Sequence, residues 1–363
     1  MPTGRPTILV LYTELAPYVL ASFQAAVRSL GATFHVVRWP VNNEAPFTLA
    51  ADAGIHLYER RQYDRAALLQ LAHDLKPDLV ITSGWVDKDY LAVCRAVQRR
   101  RVPTVMSFDT AWTGSARQWV SVLASRFWMP FTFSHAWATG ARQTAYARLL
   151  GFPAFRIHSG FYSADTERFL ALGDTLLAQR TGTWPHRFLC VARYIPTKGQ
   201  QVLCDAFAAL CDAGDAGDWE LHLIGTGELH AQVAASPSGR HPRIHHHGFK
   251  QVSELPAEMA KAGMFVLPSS YEPWGVVVHE QAAAGMPLLL SDAVGAAERF
   301  LEPGTNGARV PATDVAAWTA ALGAMVRCSD DELRAMGTAS RARAESWTPE
   351  HWALTLQRIL QDR

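Results

Sequence analysis

Two carboxylates, Glu272 and Glu280, bracket the stretch Pro273-Trp274-Gly275-Val276-Val277-Val278-His279. A strand-like apolar run, Met264-Phe265-Val266-Leu267-Pro268, precedes them, and a helix-like run, Gln281-Ala282-Ala283-Ala284-Gly285, follows. A helix beginning near Gly275 would present free backbone N–H groups and the positive end of its dipole, a setting that attracts phosphate. Glu280 is expected about two turns into that helix, where its carboxylate can accept hydrogen bonds from the hydroxyls of a sugar ring. Glu272, ahead of the helix, can do the same for a second sugar. An anion site flanked by two hydroxyl acceptors reads as a place for a nucleotide-sugar.

A second group of residues fits the same chemistry. After the strand-like run Phe188-Leu189-Cys190-Val191-Ala192 come Arg193 and then Lys198-Gly199. Arg offers a planar fork and Lys a point charge, so a basic pair at a strand end beside a helix start suits a diphosphate. Gly225-Thr226-Gly227 follows another strand-like run, Glu220 to Ile224. It lacks the third glycine of a dinucleotide fingerprint, and the chain has no Walker-type G-x-x-x-x-G-K-S/T.

These groups must be positioned by a scaffold, and the chain alternates strand-like and helical runs, the pattern of parallel α/β sheets. In the first half strands are expected at Thr7 to Tyr12, Thr33 to Arg38, Asp78 to Thr82, Thr104 to Phe108, Ala136 to Thr139 and Arg156 to His158, with helices such as Tyr18 to Leu30 and Asp89 to Arg100 between them. A lapse around Ala164 to Pro185, with Gly173, Gly182 and Pro185, reads as a connection with some helix. A second series follows, with strands at Phe188 to Val191, Glu220 to Ile224, Ile244 to His247, Met264 to Leu267 and Leu288 to Ser291, and a final helix at Pro349 to Leu360.

With 363 residues the chain is long enough for two domains. Its near-balanced charge, +1, argues against a nucleic-acid partner. The five cysteines contain no C-x-x-C pair and read as reduced, mostly buried thiols of a cytoplasmic protein. The start, Met1-Pro2-Thr3-Gly4-Arg5-Pro6, has no signal-peptide pattern, and no apolar stretch is long enough to span a bilayer.

Taken in order, the motifs resemble those of a family 4 retaining glycosyltransferase of the GT-B architecture. They are Val191-Ala192-Arg193 with Lys198-Gly199; Leu223-Ile224-Gly225-Thr226-Gly227; Gly248-Phe249; Pro268-Ser269-Ser270-Tyr271-Glu272-Pro273-Trp274-Gly275; Glu280 with Ala283-Ala284-Gly285-Met286-Pro287; and Glu298 with Asn306-Gly307. The resemblance is close from Phe188 to Glu345 and weaker elsewhere. It implies an α/β fold of two Rossmann-like, doubly wound parallel-sheet domains facing across a donor and acceptor cleft. Residues 1–165 would be the acceptor domain, 166–186 a linker, 187–346 the nucleotide-sugar domain, and 347–363 a helix crossing back to the first domain. It also implies that Arg193 and Lys198 hold the donor diphosphate, Glu272 binds the transferred sugar and Glu280 the ribose. Backbone N–H groups from Trp274 through Gly275 to Val276 would touch sugar and phosphates, with Pro273 and Gly225 beside them. Phe249, Lys250 and Gln251 would lie near the base. Members of the family need no metal, and retention is attributed to front-face attack in which the leaving phosphate takes the acceptor proton.

The first half departs from the family pattern. The loop after the first strand, Thr13-Glu14-Leu15-Ala16-Pro17, has no glycine. In Ser107-Phe108-Asp109-Thr110 an aspartate stands where many relatives carry a histidine. Asp109 is therefore either a carboxylate that binds a sugar hydroxyl or orients the acceptor, or a helix cap or plain loop aspartate. Gly295 is followed by Ala296 and Ala297 where relatives have further glycine.

Two further features have plainer readings. The aromatic and basic segment from Trp112 to Phe133 places Trp119, Leu123, Phe127 and Trp128 on one helical face; the favoured reading is a core helix, and the alternative is peripheral contact with a membrane or a lipid-linked acceptor. His245-His246-His247 looks like a metal run, yet on a strand adjacent side chains point to opposite faces, so three in a row cannot converge on one ion. The expected activity is metal-independent transfer of a hexose from a UDP- or GDP-sugar to a saccharide or lipid-linked hydroxyl, in surface polysaccharide or glycoconjugate synthesis. The alternative is a non-catalytic nucleotide-sugar-binding partner of another transferase.

Overall fold

A computed structural model describes residues 5–41, 47, 49, 52–180 and 182–362; the leading Met1-Pro2-Thr3-Gly4 lies outside the described residues. The chain divides into two compact units. Unit 1 takes its described residues from 5–41, 49, 52–163 and 347–362, and unit 2 from 47, 164–180 and 182–346.

Unit 1 is built on a seven-stranded parallel sheet. Its strands are β1 Thr7–Tyr12, β2 Thr33–Arg38, β3 Ile55–Glu59, β4 Leu79–Ser83, β5 Thr104–Phe108, β6 His135–Ala138 and β7 Ile157–Ser159. The order β3-β2-β1-β4-β5-β6-β7 reverses direction between β1 and β4. Because side chains alternate along a strand, Ile8, Val10 and Tyr12 of β1 enter one apolar cluster and Leu9 and Leu11 the other, on the opposite face. Both faces are covered, which is why the central strands read as unbroken apolar runs.

Unit 2 repeats the plan with six parallel strands. They are β8 Arg187–Val191, β9 Glu220–Ile224, β10 Ile244–His246, β11 Met264–Leu267, β12 Leu288–Ser291 and β13 Gly307–Val310, in the order β10-β9-β8-β11-β12-β13. Here the reversal falls between β8 and β11, paired as Met264 with Phe188 and Phe265 with Leu189.

The expected strands form within a residue or so of their expected ends, and two strands are additional. β3 is a short, mostly half-exposed edge strand that mixes Ile, Leu and Tyr with His and Glu, and β13 is a four-residue strand that opens on glycine, so neither is a continuous apolar run. The stretch read as a connection holds the helix Thr166–Gln179, capped by Asp165 and packed in unit 2 against the helices Val276–Ala283 and Asp330–Ala344. All five cysteines are free thiols, three of them buried.

The C-terminal helix Pro349–Gln361 belongs to unit 1. Trp352 sits in the core there, its ring stacked on Trp137 at 4.7 Å and tilted against Phe23 at 5.6 Å. Beyond the helix, Asp362 meets His135 Nε2 at 3.3 Å and Arg156 Nε at 3.6 Å. Trp352→Ala would remove a large aromatic side chain that is 1 % exposed. It is expected to destabilise unit 1 by about 3–5 kcal/mol, read from the shift of the denaturant midpoint; a shift within error would mean the helix contributes little to the unit.

Candidate functional site

Where the order of a parallel sheet reverses, the loops after the two flanking strands diverge and leave room for a ligand at the strands' carboxyl ends. In unit 2 those loops are the ones after β8 and β11, and they carry Arg193 with Lys198 and Ser269 through Gly275. The structure brings two of the expected residues into direct contact: Nζ of Lys198 lies 2.5 Å from Oε2 of Glu272. Their side chains are only 14 % and 12 % exposed, so each charge is held largely out of water by its partner.

Lys198 ends a short turn of helix, Pro196–Lys198, and the helix Gln200–Asp212 begins two residues on. Gly199 between them has φ +71°, and a Cβ there would fall 2.4 Å from the carbonyl oxygen of Pro268, so the loop after β8 can touch the loop after β11 only with glycine at this position. The backbone of Arg193 is fixed by Gln200, whose Nε2 donates to its carbonyl at 2.8 Å. Gly225, with φ +140°, packs where a Cβ would sit 2.0 Å from the carbonyl oxygen of Ala192, which presses the Gly225-Thr226-Gly227 turn onto the same loop.

The Glu272 segment is held from the other side. The N–H of Gly295 donates to the carbonyl of Glu272 at 2.9 Å, and that of Ala296 to Trp274 at 2.8 Å. Ala296 and Ala297 are fully buried, so methyl groups fit where relatives have further glycine. The helix after Gly275 runs Val276–Ala283, and no described side chain caps its N-terminus. Glu280 is its fifth residue and so lies in its second turn, closer to the N-terminus than the two full turns expected. Burial pushes the Glu280 carboxyl up to about 7, with Arg168 pulling it down and Asp165 pushing it up. Arg168 and Asp165 were not singled out in the sequence; Arg168 also donates to the carbonyl of Val252 at 3.0 Å, next to the loop expected near the base.

That loop, Gly248 to Gln251, follows β10, and the carbonyl of Gly248 accepts from the N–H of Gly225 at 2.7 Å. The side chain of Lys250 is engaged with Glu258 at 3.0 Å, and the N–H of Gln251 with the Glu254 carboxylate at 2.7 Å. Phe249 is met edge-on by Phe47, with ring centroids 5.7 Å apart, a neighbour from far earlier in the chain that no local pattern announces. His279, also unremarked in the sequence, is buried beside this site: it accepts from the N–H of Ala164 at 3.0 Å, faces the carbonyl of Ala344 at 3.1 Å and stacks on Phe300.

In unit 1, Asp109 follows β5. It does not cap the next helix, Ala116–Trp128, whose cap is Ser115. Its carboxylate accepts from the hydroxyl of Tyr162 at 3.4 Å, in a cluster with Tyr12, and burial holds both phenols above their ordinary range. At the β1–β4 reversal the glycine-free loop is tied down by Thr13, whose N–H donates to Ser83 Oγ at 2.8 Å. The helix Ala116–Trp128 corrects the core reading: Val122 and Ser125 face inward, whereas Trp119, Val120, Leu123 and Phe127 are 52–81 % exposed, with Phe131 beyond them at 71 %. Trp128, expected on that same face, packs instead against Trp85 and Phe133.

Because folding raises the Glu280 pKa, the stabilising neutral form is complete below the ordinary carboxylate range near 4.3 and is lost as pH rises through about 7. Glu280→Gln stays neutral throughout. It is expected to be more stable than the wild type at pH 8 by about 1–2 kcal/mol, allowing for solvent screening, with the gap closing toward pH 4.5. Denaturant midpoints of the ligand-free protein across this range check it; a pH-independent gap would refute the assignment.

Residues 185–327 match the family described as "Glycosyl transferases group 1". The chain is 31 % identical over 202 residues to a GDP-mannose-dependent alpha-(1-6)-phosphatidylinositol monomannoside mannosyltransferase of Mycolicibacterium smegmatis, covering 52 % of this chain and 50 % of that protein. It is 32 % identical over 189 residues to a glycogen synthase of Mycobacterium tuberculosis, covering 48 % and 41 %. The chain thus spans about half the length, or less, of the curated relatives it matches. Among solved structures, Anabaena HepE in complex with UDP and glucose shares the fold with a TM-score of 0.73 at 16 % identity, over 99 % of this chain and 100 % of that one. Sucrose-phosphate synthase of Thermosynechococcus elongatus does so with 0.72 at 17 %, over 99 % of each. Residues 185–327 thus match a group 1 glycosyltransferase domain, and the two parallel-sheet units have the GT-B fold that these solved structures share.

Proposed function

We propose that the chain is a retaining hexosyltransferase of the family 4 type, moving a hexose from a UDP- or GDP-sugar to a hydroxyl of a saccharide or lipid-linked saccharide, without a metal, in the assembly of a surface polysaccharide or glycoconjugate. The observation that carries this reading is the Lys198–Glu272 contact at the β8–β11 reversal, beside the helix that presents Glu280. One relative and one protein of the same fold point the same way: the first is named for its use of GDP-mannose, and the second was crystallised with UDP and glucose.

The chemistry follows from charge. Breaking the bond between the anomeric carbon and the diphosphate leaves negative charge on the phosphate oxygens. Arg193, Lys198 and the N-terminus of the helix Val276–Ala283 stabilise that charge as it develops. The acceptor hydroxyl attacks from the same face, and its proton passes to a diphosphate oxygen, so no protein nucleophile is required. Glu272 accepts hydrogen bonds from the hexose and keeps Lys198 extended until the donor arrives; Glu280 accepts from the ribose. Asp109, positioned by Tyr162, takes a further sugar hydroxyl.

The exposed face of the helix Ala116–Trp128 fits a lipid-linked acceptor. No helix among the described residues is long and apolar enough to cross a membrane. Trp119, Leu123 and Phe127 recur every fourth residue on the outer side, with Arg117 and Arg126 exposed beside them, the composition of a helix that lies in a bilayer interface. The protein therefore works on the surface of an anionic membrane.

Glu272→Gln keeps the size of the side chain and removes its charge. It is expected to lower sugar transfer by about a hundredfold or more while UDP or GDP alone still raises the melting temperature, with and without magnesium. Near wild-type transfer in this variant would refute the role of Glu272, and the absence of a thermal shift by either nucleotide in the wild type would favour a non-catalytic partner. Trp119→Ser with Phe127→Ser is expected to cut co-sedimentation with anionic liposomes at least tenfold and leave transfer to soluble acceptors intact. Unchanged sedimentation would remove the membrane assignment.

A further inference from the structure

The outer strands of the unit 2 sheet carry a cluster that the transfer reaction does not use. β9 and β10 pair in parallel with His222 opposite His245. Glu220 stands two residues before His222, and His247 two residues after His245, so all four side chains emerge on one face. His246 points the other way, to the Tyr194 hydroxyl at 2.8 Å and the Gly239 carbonyl at 3.1 Å. The alternation that keeps three adjacent histidines from meeting on one ion is thus real, and the neighbouring strand supplies what it takes away.

We propose that Glu220, His222 and His245 form a binding site for a divalent transition metal of the zinc class, with His247 as a positioning residue. One ligand atom from each of the three lies within 4.8 Å of the others. Nε2 of His222 is 3.0 Å from one carboxylate oxygen of Glu220, and Nε2 of His245 is 3.7 Å from the other. Among the described residues Nε2 of His245 has no hydrogen-bond partner. A tetrahedral ion bound at about 2.0–2.1 Å holds its ligands roughly 3.4 Å apart, so small side-chain rotations close the site. Two imidazoles and a carboxylate select zinc, nickel or cobalt over magnesium or calcium, which prefer oxygen alone.

The surroundings favour the ligating form. Nδ1 of His222 lies 2.7 Å from Nε2 of His247. Without an ion the Nε2–H of His222 donates to the Glu220 carboxylate; with an ion between them the proton would sit on Nδ1 and be donated to His247, the usual outer-sphere device that orients a metal-bound histidine. His222 is 5 % exposed, so the ligand cluster is largely screened from water. The nearby cations are balanced: Arg187 lies 3.8 Å from both Glu220 and Glu258, and Lys250 3.0 Å from Glu258. A bound ion would staple β9 to the three-residue edge strand β10. Their ends feed the Gly225-Thr226-Gly227 turn and the Gly248 to Gln251 loop.

The test is metal binding by the full chain, freed of any histidine tag and of nucleotide, measured with zinc by equilibrium dialysis and metal analysis, and with cobalt by its visible absorption. The expected result is one ion per chain, cobalt bands of the intense tetrahedral type, and a higher melting temperature with zinc. Glu220→Gln and His245→Ala should each weaken binding at least tenfold, and His247→Ala by about tenfold to a hundredfold. His246→Ala, on the other face, should leave binding unchanged. Melting curves without metal confirm that each variant is folded. Substoichiometric zinc in the wild type, or binding that survives both Glu220→Gln and His245→Ala, would overturn the proposal.

Discussion

The reversal of strand order between β8 and β11 is the constraint on which the site depends. A parallel sheet sends every connection over one face or the other, and at the reversal the neighbouring connections part. Two loops far apart in sequence then rise side by side from the carboxyl ends of adjacent strands. One brings Lys198 and the other Glu272, and the close approach at Gly199 and Gly225 leaves those loops little room to shift.

The charge pair at this point has a double role. Neither side chain has much access to water, so each would be costly to bury without the other. Together they form a polar centre that is already oriented without a ligand, the kind of preorganised charge that the proposed transfer calls for. The backbone around the pair is fixed by hydrogen bonds from Gln200, Gly295 and Ala296, so its geometry rests on main-chain contacts of the sheet and helices and not on mobile side chains.

Two surfaces depart from the rule that apolar groups go inside and ionisable ones outside. In unit 1 one face of the helix Ala116–Trp128 exposes large apolar side chains although its opposite face is packed. In unit 2 a strand face at the sheet edge gathers three imidazoles and a carboxylate, one of the imidazoles almost fully buried. Burial of polar groups and exposure of large apolar ones each carry a cost, and such places are where a chain meets something other than itself.

The sequence by itself determined the fold class, because a strand buried on both faces has to be largely apolar, and β1, β11 and β12 show it. It also marked Glu272, Glu280, Arg193 and Lys198, because their spacing from strand ends and glycines is local and survives without coordinates. What local pattern could not carry was contact between distant segments. The pairing of Lys198 with Glu272, the approach of Arg168 to Glu280 and the contact of Phe47 with Phe249 exist only once the sheet has set its strand order. The short edge strands β13 and β3 were hidden for a related reason: edge strands are held by a neighbour on one side and need no continuous apolar run of their own. The direction of the helix Ala116–Trp128 was likewise a tertiary decision, since periodicity says which residues share a face and not whether that face meets the core or the solvent. The same holds for the histidines: alternation along β10 was legible, but only the register of β10 against β9 set His222 and Glu220 beside His245.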